Sequence, residues 1–528
     1  LDYYGQALAH NRAVQDRGGE ASTLYNIARL KRDLHDLAEA RTQIEAALGI
    51  VESLRTQVLS RDLRVSYSAT AHQYYELYID LLMQLNKREP TSHLDALALQ
   101  VSEQARARSL LDMLADVRDN IRERDNSALL DREHSLNLAL DGLFERRAKL
   151  LNGKPAAEQV ASLDQEIQTL TAEYSEVETQ IRAQKPSYAA LLRPASISLP
   201  EIQQQVVEPD TLLLEYSLGG ERSYLWAVTK DGMAAYELPG RKEIEDAARE
   251  VYELLTARRK RAGEALSAYT ARVAVADAEY RQKAARLSDL ILNPVAAQLK
   301  DRRLLVIADG ALQYIPFGAL PAPVLRDGSE SSSAANPDAD ADTPLIFTRE
   351  IVNLPSASIQ AVLRHNTARR QTARRSVAVL ADPVFEKDDL RLREIANRAE
   401  GGTEQRGRLA EARRGGEAGI PNGGENFSRL PASREEAEAI MSNTSAGSGM
   451  KALGFAANRD TALSSSLSDY RIVHFATHGV LDSERPELSC LVLSLFDEEG
   501  RARDGFLRLG DIYNLNLPVE MVVLSGCD

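Results

Sequence analysis

The 528-residue chain has only two cysteines, Cys490 and Cys527, and one tryptophan. Two thiols cannot build a disulfide framework, and such sparing use suits a reducing, cytoplasmic compartment. Apolar runs are short. None reaches the roughly 18 residues that would suggest a membrane-spanning helix. Positive charge is in deficit, with 64 Lys and Arg against 78 Asp and Glu, a net charge of −14 and a pI near 5.3. That balance disfavours a general nucleic-acid binder and leaves room only for a local basic groove. Several chemistry-bearing motifs are also missing: GxxxxGK[ST], GxGxxG after a strand, HExxH and a CxxC pair. No metal or cofactor is therefore expected. The first residue is Leu1, not Met, so the natural start is expected upstream.

What is present is ordinary globular material, 44% hydrophobic and 27% charged. At about 100–200 residues per domain, the length suits three or four domains. Residues 1–118 carry a helical period. In Glu20–Val51 one helix shows Leu24, Ile27, Ala28 and Leu34, and a break at Leu34-His35-Asp36 follows. A second helix then shows Leu37, Ala40, Ile44, Ala47, Leu48 and Val51. Small Ala28 and Ala40 fall where two helices of a hairpin must approach closely. A helix–turn–helix unit of about 34 residues is the tetratricopeptide pattern, and such units stack because none buries its faces alone. A generic helical bundle is the plainer alternative. Tyr67–Leu85 and Leu94–Leu114 read as further helices.

Residues 119–200 read as a helical hairpin. Leu163, Ile167, Leu170, Tyr174, Val177 and Ile181 make a coiled-coil seam. Leu136, Leu140, Phe144 and Leu151 lie on the opposing arm, before a break at Asn152-Gly153-Lys154-Pro155.

From residue 201 onward, strands and helices alternate. Leu212–Leu218, Ser223–Val228 and Met233–Leu238 are separated by turn residues and read as hairpin strands. A charged helical stretch runs from Lys242 to Leu299. Continuous apolar runs follow at Leu304–Ala308, Val377–Ala381, Arg471–Ala476, Cys490–Leu495 and Met521–Leu524. Helical patterns at Ser356–Leu363, Ser433–Met441 and Asp460–Leu467 intervene. This alternation predicts an α/β fold with a mostly parallel central sheet. Arg326–Thr343 and Ala399–Asn426 hold too few large apolar residues to order themselves and read as surface insertions.

Two residues stand where open α/β sheets place their chemistry, at the carboxyl ends of apolar strands. His478 ends Arg471-Ile472-Val473-His474-Phe475-Ala476-Thr477-His478 and precedes Gly479. Cys527 ends Met521-Val522-Val523-Leu524-Ser525-Gly526-Cys527. They are 49 residues apart, close to the roughly 50 residues between the caspase histidine and cysteine. An imidazole can activate a thiol and protonate a leaving amine. The N–H groups of Gly479 and Cys527 could stabilise an oxyanion. Cys490 reads as a buried small hydrophobe. His474 reads as a core residue or a support for the site, on the pleat face of His478 if the strand stays extended. Asp382 and Asp528 are acidic candidates for reading a basic substrate residue, although exposed carboxylates are common.

The ordered set of short motifs from Thr211 to Asp528 resembles the CHAT domain of the caspase-like cysteine peptidases (clan CD), a domain commonly fused to tetratricopeptide repeats. The pieces are Ala308-Asp309-Gly310, Tyr314 to Leu320, Leu354 to Ser358, Ala381-Asp382-Pro383, Leu430 to Ala437, Val473 to Gly479, Asp504 to Leu507 and Val522 to Cys527. Ala105 to Leu111 is similar to the repeat-to-peptidase junction of such proteins. The resemblance implies a CHAT domain over 201–528, with His478 as the catalytic histidine and Cys527 as the nucleophile. It also implies a protein or peptide partner on the repeats and a protein substrate. The family's domain continues past its cysteine, so this chain is expected to be cut short and inactive as it stands. A non-catalytic scaffold with a degenerate α/β platform is the alternative. Nucleotide binding is disfavoured by the missing glycine fingerprint.

Overall fold

The computed structural model describes residues 1–14, 16–55, 61–106, 197–259, 261, 263–299, 302–323, 343–367, 373–393, 427–480, 489–508, 511, 512, 515, 517 and 519–525. It also describes single positions between 129 and 180. Both predicted surface insertions fall almost wholly outside these residues. So do Tyr67's side chain, Leu140, Phe144, Leu151 and Ile181. The chain divides into two compact units, one drawn from residues up to 368 and one mainly from 369–528. No described helix is long and apolar enough to cross a membrane.

The first unit begins with α1 (Asp2–Ala13), α2 (Arg17–Asp33), α3 (Leu37–Arg55), α4 (Arg61–Arg88) and α5, described over 94–106. The α2–α3 hairpin forms as its small residues require, with Ala28 and Ala40 fully buried between the helices. His35 takes the left-handed conformation at the turn, with φ 63°. In the 119–200 region, Leu136, Leu163, Ile167, Tyr174 and Val177 are buried, and Arg132 on one arm hydrogen-bonds Glu173 on the other.

After α6 (Leu199–Gln205) come β1 (Thr211–Ser217), β2 (Ser223–Val228), β3 (Met233–Leu238), α7 (Arg241–Leu255), α8 (Leu266–Leu292), β4 (Arg303–Ile307), β5 (Ile351–Asn353) and α9 (Ala357–Thr367). The helical stretch from Lys242 is broken between α7 and α8, where Gly263 adopts φ 75°. The five strands order as β3-β2-β1-β4-β5. Within it β2 runs antiparallel to both β1 and β3, while β4 runs parallel to β1 and β5 parallel to β4.

Every residue of β1 is buried because both of its faces are covered. Leu213, Trp226, Leu305 and Ile307 share a core with α2–α5, including Leu24, Ile44, Leu81 and Leu99. Leu212, Leu214, Tyr216, Leu304 and Val306 pack on α7 and α8. The first helices are thus one layer of this unit.

Buried polar groups on α5 complete the joint. Glu103 is fully buried and accepts from the N–H groups of Ala357 (2.8 Å) and Ser358 (2.7 Å) and from Ser358 Oγ (2.6 Å). A carboxylate there satisfies donors in the first turn of α9 and suits its dipole. Ser102 Oγ donates to Glu215 Oε1 at 2.7 Å, and Arg106 donates to the carbonyls of Tyr216 and Ala308. Arg106 Nε lies 3.4 Å from Glu215 Oε1. Burial, and then the charge of Glu103, pushes the Glu215 carboxyl well above its ordinary range, against the opposing pull of Arg106.

The second unit contains β6 (Arg375–Ala381), α10 (Pro431–Ser442), β7 (Gly449–Leu453), β8 (Tyr470–Ala476), β9 (His478–Val480), β10 (Cys490–Val492), β11 (Phe506–Arg508) and β12 (Met521–Leu524). Four strands form an all-parallel sheet, β12-β8-β6-β7. The other three form a small antiparallel sheet, β11-β10-β9. The apolar runs expected in one mostly parallel sheet therefore divide. Leu304–Ala308 joins the mixed sheet of the first unit, three runs join β7 in the parallel sheet, and Cys490–Leu495 enters the antiparallel one. Continuous apolarity reports burial on both faces, not which partner strand provides it.

Two outcomes follow for the first unit. Glu103→Ala leaves buried donors unpaired and destabilises this unit by about 2–4 kcal/mol. Urea unfolding read by Trp226 fluorescence measures this, since that indole, the chain's only one, is buried and donates to Asp95 O at 3.1 Å. The Glu215 carboxyl keeps its proton in the native state above the ordinary value of 4.5, where the unfolded chain releases it. The unit therefore loses stability as pH rises from about 4.5 through the raised native value. Glu215→Gln flattens that decline in the same fluorescence assay.

Candidate active site

β8 lies inside the parallel sheet between β12 and β6. Its register with β12 pairs Met521 with Ile472 and Leu524 with Phe475. The pairing extends one step further, with Ser525 N–H donating to Phe475 O at 2.8 Å. On the other side, Ala381 at the end of β6 pairs with Ala476 at the end of β8. Three neighbouring strands thus end together, and their carboxyl termini lead to Ser525, Thr477 and Asp382.

At Thr477 the chain leaves the parallel sheet. This residue is fully buried, and its hydroxyl donates to Val492 O. His478 then opens β9 opposite Val492. Its side chain is largely buried at 8% exposure, with Phe385 at 5.0 Å and Phe427 at 5.6 Å between ring centroids. Nε2 stands 2.7 Å from the carbonyl oxygen of Ser428. A carbonyl only accepts, so Nε2 carries the hydrogen, and the neutral ring presents its lone pair at Nδ1. The bond fixes one tautomer, and the two aromatic rings restrict rotation.

Gly479 is in β9 opposite Leu491. A methyl group built on it would meet only Leu491 Cδ2, at 3.9 Å. The fold itself therefore does not demand glycine at this position. Cys527 lies outside the described residues, two positions beyond Ser525, and so does Asp528.

The bend at Thr477 separates the two histidines, which the extended-strand expectation placed on one face. His474 remains in β8 between Val379 and Val523. Its Nε2 is 3.1 Å from Glu436 Oε1 on α10, outside hydrogen-bond geometry. Ser525 Oγ donates to the other oxygen of Glu436 at 3.1 Å. His474 thus sits beside the strand that leads to Cys527, with a different set of neighbours from His478.

Cys490 packs in an apolar cluster with Phe385, Val492, Leu495 and Phe506, as a small hydrophobe would. Asp382 departs from its expectation as an exposed carboxylate. It is fully buried, with Arg429 on both oxygens at 2.9 Å, Arg434 Nε at 2.8 Å and Arg391 at 3.0 Å. A carboxylate so surrounded has no capacity left for a basic substrate residue. Among the described residues no group of three or more His, Cys, Asp or Glu side chains is arranged to hold a metal.

Residues 281–528 match the family model of the CHAT domain, a domain related to the caspase-like cysteine peptidases. No curated protein matches the chain. The matched stretch begins within α8. It includes β4 and β5 but not β1–β3, which complete the same sheet.

Gly479→Ala changes thermal stability by less than about 1 kcal/mol, since the new methyl group makes an ordinary contact and the change removes unfolded-state freedom. A melting curve of the second unit, followed by circular dichroism, checks this.

Proposed function

We propose that the chain carries a caspase-like cysteine endopeptidase domain, with His478 as its base and Cys527 as its nucleophile. Residues 201–528 form its CHAT domain. The helices of residues 1–118 are tetratricopeptide-type repeats that hold a regulatory or substrate protein. The setting is cytoplasmic. The observation that carries this reading is the parallel register of β12 on β8. It brings the exit toward Cys527 beside the exit toward His478, although 49 residues separate them in sequence.

The chemistry follows from the ring's geometry. Nδ1 takes the proton of the Cys527 thiol, and the sulfur attacks the carbonyl carbon of the scissile amide. The resulting imidazolium keeps Nε2–H on the Ser428 carbonyl, a bond that strengthens with the charge. Nδ1 then returns the proton to the leaving amine as the C–N bond breaks, leaving an acyl-thioester. Water adds to that ester with Nδ1 as base, releasing a carboxylic acid and the thiol. The N–H groups of Gly479 and Cys527 hold the oxyanion in both steps. Loss of one such donor slows turnover by about 10²–10³.

Iodoacetamide labelling of the two cysteines, read by peptide mass spectrometry, tests the assignment. Cys527 is expected to react selectively, and His478→Ala to abolish the preference. In the full-length protein, Cys527→Ala is expected to stop peptide cleavage while the repeats still retain their partner. Labelling of Cys527 no faster than that of buried Cys490 would instead favour a non-catalytic scaffold, with His478 as a packed structural residue.

A further inference from the structure

The segment that meets His478 is itself tied down at its next residue. Phe427 lies against the imidazole, the Ser428 carbonyl accepts from Nε2, and Arg429 forks onto Asp382 with two bonds of 2.9 Å. Three consecutive residues thus link the ring to a carboxylate at the end of β6. We propose that Asp382 is a positioning residue for His478, acting through Arg429 to hold the Ser428 carbonyl on Nε2 and so leave Nδ1 open. This rests on the reading of His478 as the base.

Asp382 is built for this role more firmly than for packing alone. Its own N–H donates to Ser433 Oγ at 3.0 Å, and that hydroxyl donates to Leu430 O at 2.7 Å. With Arg434, the same residue therefore grips the chain at 429, 433 and 434, on both sides of the entry to α10. Arg391 fixes Asp382 from behind. It donates to the Asp382 carbonyl at 2.6 Å and the Pro383 carbonyl at 3.0 Å, and pairs with Asp389 at 2.7 Å. Asp382 also holds φ 49°, a left-handed conformation that is uncommon for non-glycine residues and that Asp enters more readily than most. Burial alone would raise its carboxyl, but the hydrogen bonds of Arg429 and Arg434 and the charge of Arg391 override burial and keep it below the ordinary range.

A carboxylate at this point also keeps the guanidinium groups together. Three arginines face two carboxylates, Asp382 and Asp389. Removing the charge of Asp382 would take away the carboxylate that Arg391, Arg429 and Arg434 share. Arg429 would lose its fork, and the 427–429 segment its attachment to β6. The ring nitrogen would then find no fixed acceptor, and both neutral tautomers would become populated.

The test uses the full chain with ¹⁵N-labelled histidine, and assigns the His478 signals by their loss in His478→Gln. Long-range ¹H–¹⁵N correlations at neutral pH should show the Nε2–H tautomer. Asp382→Asn should replace that pattern with a mixture and slow iodoacetamide labelling of Cys527 by about tenfold or more, in keeping with the weight of a positioned base. Arg429→Lys, which keeps the charge but not the fork, serves as the second variant and should show the same change even if Asp382→Asn does not fold. A folded Asp382→Asn or Arg429→Lys chain that retains the Nε2–H pattern overturns the proposal. The tautomer readout needs no turnover, so the two readings can fail separately. An inert Cys527 beside a ring that still changes tautomer removes the peptidase reading and keeps the positioning role of Asp382. A reactive Cys527 beside an unchanged ring does the reverse.

Discussion

The pairing of β12 with β8 is the constraint on which the candidate site depends. Parallel strands need a long connection, because each must return to the same end of the sheet before it can run alongside its neighbour. The chain between β8 and β12 uses part of that connection to build the antiparallel β9–β10–β11 sheet. The same stretch that brings β12 back therefore also carries His478. The histidine is fixed by a second sheet at the rim of the first, and Thr477, buried and bonded to Val492, is the joint between them. This arrangement holds a largely buried ring rigid at a strand end.

The first unit solves a different problem by similar means. Its sheet is apolar on both faces and needs two layers of helix to stay dry. The helices before residue 107 form one of those layers and α7 with α8 the other. Where the helical layer meets the sheet, apolar packing gives way to the Ser102–Glu103–Arg106 set. Glu103 and Arg106 satisfy backbone groups of α9, of β1 and just past β4, and Ser102 bonds the Glu215 side chain. Asp80 plays the corresponding part on α4, accepting from Arg32, Arg222 and Tyr224.

Much of this was readable in the sequence, and the exceptions share physical causes. The α2–α3 hairpin was legible because close helix approach demands small side chains at set positions. The hairpin strands were legible because their turn residues punctuate short apolar runs. Strands β5, β7, β9 and β11 (Ile351-Val352-Asn353, Gly449-Met450-Lys451-Ala452-Leu453, His478-Gly479-Val480 and Phe506-Leu507-Arg508) lack the continuous apolar runs that marked the equally short β4, β10 and β12. His478 stood out through its strand–His–Gly context, but its partner is a main-chain carbonyl, and a carbonyl leaves no mark on residue identity. The burial of Asp382 was equally hidden. Its three arginines are 9, 47 and 52 residues away in the chain, so nothing local distinguishes it from a solvated carboxylate. The match to the CHAT model agrees with the resemblance carried by the ordered motifs over much of their span.

The shared core beneath β1 and β4 has a practical corollary for anyone dissecting the polypeptide. A truncation that starts at residue 201 looks natural on paper, since it begins where strands replace helices. It would strip Leu81, Leu82 and Leu99 from above Leu213, Trp226 and Leu305 and leave that side of the sheet wet. Such a fragment would be sticky and prone to self-association. Dissection is better served by cutting after α9, where the described contacts of the first unit end.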